Sequence, residues 1–64
     1  MTVLDLFKRN LEWGPYTIAK IYDPDEISDE HILLKAAIIY RDREVTGFYT
    51  SEDGRAIISL KSSK

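Results

Sequence analysis

Apolar positions recur at intervals of three and four residues at the start of the chain. Val3, Leu6, Phe7 and Leu11, with Leu4 beside them, form one stripe, while Lys8, Arg9 and Glu12 lie towards the other side. This predicts a helix over 2–12. Thr2 and Asp5 have the spacing of a capping box, and Asp5 also suits the positive end of the helix dipole. Gly14-Pro15 then stops the helix.

From Tyr16 the pattern changes. Residues 16–22 are rich in β-branched and aromatic side chains and read as a strand with apolar groups on both faces. Asp23-Pro24-Asp25-Glu26 has the form of a helix start, and Ser28-Asp29-Glu30 offers a second, so a short helical turn is expected there. Residues 32–41 admit two readings. As a strand, Leu34, Ala36, Ile38 and Tyr40 share a face. As a helix, they are apolar nearly all round, which suits a larger core than this chain can build. The strand is preferred, although Leu-Leu-Lys-Ala-Ala favours the helix on propensity. Val45–Thr50 and Arg55–Lys61 flank Asp53-Gly54, a strong hairpin signal.

The expected fold class is therefore α+β: an N-terminal helix packed on a four-stranded, mainly antiparallel sheet, running as a meander. The alternative is αβαββ with a second helix at about 28–41. Residues 1–61 form one small domain, and 62–64 read as a frayed tail.

Strand parity sorts the apolar residues. One face carries Tyr16, Ile18, Tyr22, Leu34, Ala36, Ile38, Tyr40, Val45, Tyr49, Ala56, Ile58 and Leu60, and reads as the core. The four tyrosines belong to it, with their hydroxyls at the rim. The opposite face holds Ile21, Leu33, Ile39, Phe48 and Ile57, too apolar a set for ordinary solvent exposure. A single helix covers only one face. The second face is therefore expected to meet an identical chain, most simply in a two-fold dimer. Gly47 within a strand marks a bulge or a close approach by a side chain such as Trp13.

Composition sharpens this picture. The chain has 64 residues, and a domain of that size buries only about 60% of the surface its unfolded chain exposes. It has no cysteine, which excludes disulfides and thiolate metal sites, and one histidine cannot build a histidine-rich metal site. Packing and association remain as sources of stability. No apolar stretch is long enough to span a membrane and the N-terminus lacks the basic region of a signal peptide, so a cytoplasmic setting is expected.

The net charge of −2 hides an asymmetry. Asp23, Asp25, Glu26, Asp29 and Glu30 fall in one segment without Lys or Arg. The remaining residues carry nine bases and six acids. The acidic run does not match an EF-hand, having no glycine at the sixth loop position, and reads as a solvated loop or a contact for a basic partner. His31 follows two acids, but no nucleophile is marked beside it, and no catalytic, cofactor or metal site is expected.

The functional expectation is a non-catalytic, homo-oligomeric interaction module, accessory or regulatory, docking on a larger protein. The alternative is a single-stranded nucleic-acid binder that stacks bases on Phe48 amid Lys35, Arg41, Arg55 and Lys61. The acidic balance argues against general nucleic-acid binding.

Overall fold

The computed structural model describes residues 1–9 and 12–63. Its elements are α1 (Val3–Arg9), β1 (Ile18–Tyr22), β2 (Asp29–Ile32), α2 (Leu33–Ile39), β3 (Val45–Thr50) and β4 (Ala56–Leu60). The fold is α+β, with both helices and one four-stranded sheet. Leu11, expected in the first apolar stripe, lies outside the described residues.

The N-terminal helix starts as its sequence dictates. The Thr2 amide donates to Asp5 Oδ2 and the Asp5 amide to Thr2 Oγ1, each at 3.2 Å. This reciprocal pair satisfies two amides that the helix itself leaves unbonded.

The sheet order is β2-β1-β4-β3. Two antiparallel hairpins, β1–β2 and β3–β4, meet through a parallel central pair, β1–β4. The sheet is thus mainly antiparallel, but it is not a meander. The β3–β4 turn has the predicted chemistry. Gly54 takes φ +85°, a left-handed conformation that costs glycine little, and its amide donates to the Ser51 carbonyl at 3.0 Å. A bulge between Val45 and Gly47 interrupts the β3–β4 register. A Cβ on Gly47 would meet nothing within 4 Å, so no close approach by Trp13 requires this glycine.

Residues 32–41, preferred as a strand, contain α2 instead; the fourth strand comes from residues 29–32. No side chain caps α2. Its first amides are bonded by distant carbonyls, Leu33 N–H to Thr17 O at 2.7 Å and Leu34 N–H to Pro15 O at 2.9 Å. The stretch with the best helix-start spelling, Asp23-Pro24-Asp25-Glu26, forms only a turn, in which the Asp23 carboxylate accepts the Asp25 amide at 3.0 Å. The core includes Val3, Leu6, Ala19, Ile21, Leu33, Ala36, Ala56, Ile58 and Leu60, with Phe7, Trp13, Tyr40 and Val45 packed against it.

The second helix changes which strand face is buried. Ala19 pairs with Ala56 and Ile21 with Ile58, and all four lie fully buried on the helix side. Ile18 and Tyr22, expected in the core, are exposed on the helix-free side, and Tyr16 and Tyr49 are exposed as well. Lys20 shares the alternation of Ile18 and Tyr22, so the wholly apolar alternation of β1 is the one that is buried, Ala19 and Ile21.

This arrangement gives Ile21 and Ile39 different weights. Ile21→Val should cost about 0.5–1.5 kcal/mol through lost core packing. Ile39→Val, at a half-exposed position, should stay within about 0.5 kcal/mol of the parent. Urea unfolding at neutral pH measures both.

Candidate functional site

Two features emerge from this fold: a polar clamp at one end of the sheet, and the outward side of α2.

Because β1 and β4 are parallel, their C-terminal ends lie side by side. Asp23 follows β1, Lys61 follows β4, and Arg43 comes from the connection between α2 and β3. The Arg43 guanidinium forks onto Asp23, with Nη1 to Oδ2 at 2.8 Å and Nη2 to Oδ1 at 2.9 Å. Nη2 also reaches Asp25 Oδ2 at 3.2 Å and the Lys61 carbonyl at 3.1 Å. A planar donor fork matches a carboxylate in this way, which an ammonium would not. Asp23 is the buried charged residue among those described, and this pair together with the Asp25 amide satisfies it.

Asp25 extends the clamp to the C-terminal segment. It accepts the Ser63 amide and the Ser62 and Ser63 hydroxyls, each at 2.7 Å. Residues 62 and 63, expected to fray, are therefore tied to the body. An open cleft of about 240 Å³ lies alongside, lined by Asp42, Arg43, Glu44, Lys61, Ser62 and Ser63.

These bonds favour ionised carboxylates. The Ser63 amide, followed by the two serine hydroxyls, lowers Asp25 to about 2. Arg43, followed by the Asp25 amide, holds Asp23 below the usual carboxylate range, and Asp23 in turn raises Arg43. The Glu30 amide and then the charge of His31 lower Asp29. His31 Nε2 lies 2.9 Å from Asp29 Oδ2, and its ring tilts against Tyr40, whose hydroxyl is pushed up by burial.

The expected acidic contact is thus largely engaged within the chain. Asp23 and Asp25 hold Arg43, Asp29 meets His31, and Glu30 pairs with Arg55 at 3.0 Å. Glu26 remains exposed in the loop. Among the described residues no group of three or more His, Asp or Glu is placed to hold a metal ion, and no helix is long and apolar enough to cross a membrane.

The five residues expected on one association face separate. Ile21 and Leu33 are core, on β1 and α2. Phe48 lies on the helix side in register with Ile58, with its ring edge-on to Trp13 at 5.9 Å. The Trp13 indole N–H also donates to Thr50 Oγ1 at 2.8 Å. Ile57 is on the helix-free face but buried, flanked in register by Tyr49 and Lys20. Ile39 is exposed at the end of α2.

The residues expected around Phe48 do not converge either. Lys35 is on α2, Arg41 follows it, Lys61 follows β4, and Arg55 is drawn to Glu30 and Asp53. Among the described residues no basic platform surrounds the Phe48 ring.

What parity reasoning missed is the outward side of α2. Leu33, Ala36 and Ala37 face the core. The opposite side presents Leu34, Lys35, Ile38 and Ile39, with Ile38 66% exposed and Ile39 48% exposed. The all-round apolar character of 32–41 was the available signal. Comparison with protein families, curated proteins and solved structures finds no match.

The clamp has a definite pH dependence. Between about 2 and the unfolded carboxylate value, the unfolded chain binds more protons than the folded one, so stability rises with pH. The clamp's contribution should be complete above about pH 5 and lost progressively as pH falls towards 2. Urea midpoints over this range should show the decline, and Asp25→Asn should make it shallower.

Proposed function

We propose that the chain is a small non-catalytic interaction module that acts as a homodimer in the cytoplasm, in an accessory or regulatory role on a larger protein. One observation carries this reading: α2 is apolar nearly all round, with Lys35 its one charged residue, while Leu34, Ile38 and Ile39 on its outward side are uncovered. A helix of that composition belongs in a buried position, and burying each large aliphatic side chain is worth roughly 1.5–3 kcal/mol when complete. Leu34, Ile38 and Ile39 lie together on one short helix, whereas scattered exposed hydrophobics carry little meaning.

The helix-free sheet face supports the same division of roles. Its charges are compensated locally, with Glu30 paired to Arg55 and the Lys20 ammonium 5.4 Å from the centre of the Tyr22 ring. With Ile18, Tyr22 and Tyr49 exposed among these charges, the face is mixed rather than continuously aliphatic.

A non-catalytic role is favoured by what the ionisable groups already do. Asp23, Asp25 and Arg43 are taken up in fastening chain segments together. Catalysis also calls for a cleft that excludes water, whereas the cleft beside the clamp is open. Freedom from cysteine is compatible with a reducing compartment.

Sedimentation velocity from low to high micromolar concentration, at two salt concentrations, tests the association. A reversible dimer that grows with concentration and responds weakly to salt is expected. A monomer throughout that range would overturn the reading.

A further inference from the structure

Alternation along β3 decides which of its backbone groups look away from β4. The Ser51 amide donates to the Arg55 carbonyl at 2.9 Å, so Ser51 faces β4, and Tyr49 and Gly47 face it with Ser51. The N–H and C=O of Phe48 and Thr50 therefore point outward, at the edge of the sheet. Among the described residues nothing bonds them. The Val45 amide points the same way but is taken, donating to the Met1 carbonyl. This edge is thus occupied at one end by Met1 and Thr2, closed at the other by the Ser51–Gly54 turn, and open over Phe48–Thr50.

Sheets commonly guard an open edge with charge or proline. The far edge, β2, carries Asp29 and Glu30. Thr46-Gly47-Phe48-Tyr49-Thr50 has neither, and Phe48 is 49% and Tyr49 61% exposed. We infer that the open part of β3 is covered by the same part of β3 in a second copy, paired antiparallel about a two-fold axis at Tyr49, so that the two sheets join into one. This rests on the self-association proposed above and names its contact. In this register Phe48 of each chain opposes Thr50 of the other. Both free N–H groups and both free carbonyls of each edge then find partners across the axis. The two Tyr49 side chains meet on the helix-free face as a cross-strand aromatic pair.

The other uncovered surfaces do not specify their occupant in this way. The outward side of α2, and Ile18 and Tyr22 on the helix-free face, would be covered by any apolar surface. The free groups of β3 are matched by an extended backbone alone, along a segment bounded at both ends. A second copy of that segment has the same length and brings no charge against its equivalent. Pairing β2 with β2 would instead set Asp29 and Glu30 near their equivalents, and both already bond within the chain, to His31 and Arg55. From Gly47 to Ser51 the seam is about 17 Å long. So short a seam falls in the small, transient class of interface, and the dimer is a weak, micromolar one.

Amide hydrogen exchange and sedimentation velocity on the full chain test the contact. From low to high micromolar concentration, exchange at Phe48 and Thr50 should slow by roughly tenfold, while Ser51, already bonded to Arg55, should not change. Thr50→Pro removes an outward N–H but no bond to β4, and should weaken the dimer by roughly tenfold with unchanged far-UV circular dichroism. Thr50→Val keeps that N–H and loses only the hydroxyl bonded by Trp13, so its dimer should stay within about threefold of the parent. Tyr49→Lys and Tyr49→Glu, each alone, set like charges together at the axis and should be monomeric, whereas their equimolar mixture should form a heterodimer. A dimer untouched by Thr50→Pro, or a mixture that stays monomeric, would overturn the pairing. Loss of the dimer in Ile38→Glu would move the contact to α2, which overturns the pairing and leaves self-association standing. A parent chain that is monomeric throughout overturns both.

Discussion

The parallel pairing of β1 with β4 is the constraint on which the other features depend. It sets Ala19 beside Ala56 and Ile21 beside Ile58, so that the centre of the sheet is small and aliphatic on the helix side. Ala36 of α2 is fully buried in the same cluster. Alanines there allow a helix to lie close to the sheet, where bulkier residues would hold it off. The same pairing leaves the ends of β1 and β4 adjacent, which brings Asp23 within reach of an arginine that also bonds the Lys61 carbonyl.

The clamp and the core are therefore two results of one topology. Arg43 lies in the connection between α2 and β3, and its bonds to Asp23, Asp25 and the Lys61 carbonyl tie three separate passages of the chain. Its own carbonyl accepts the Val3 amide at 3.0 Å, which joins the start of α1 to the same node. Met1 and Thr2 complete this end by lying along Glu44 and Val45, with the Val45 amide donating to the Met1 carbonyl at 2.8 Å. The first part of edge strand β3 is thereby shielded, and the bulge at Val45/Gly47 distorts the stretch that follows.

How much of this was legible in the sequence depended on the range of the interactions involved. The Thr2–Asp5 capping box and the Asp53-Gly54 turn act over a few residues, and both could be read directly. The start of α2 could not, because its first amides are satisfied by Thr17 and Pro15 carbonyls rather than by a neighbouring side chain. The facing of β1 was only faintly marked: Ile18 and Tyr22 are as apolar as Ala19 and Ile21, and Lys20, between the first two, is the one residue that points their side to water. The acidic run was visible as composition, but its partners, Arg43, Ser62 and Ser63, are remote in sequence. Of the apolar set assigned to one exposed face, Ile39 is the member that lies on the outward side of α2. Phe48, which remains half-exposed, is turned towards Trp13 instead.

The order of pairing also bears on how the chain reaches this state. Each hairpin joins neighbours in sequence, but the central ladder matches residues 19–22 with 56–59, and everything between must be accommodated before those strands meet. Closing so long a loop costs entropy before any core contact repays it, and folding rates fall as such distant contacts come to dominate. For its small size this is a slow topology, in which the chain must leave the ribosome as far as residue 59 before the two middle strands can find each other along their whole length.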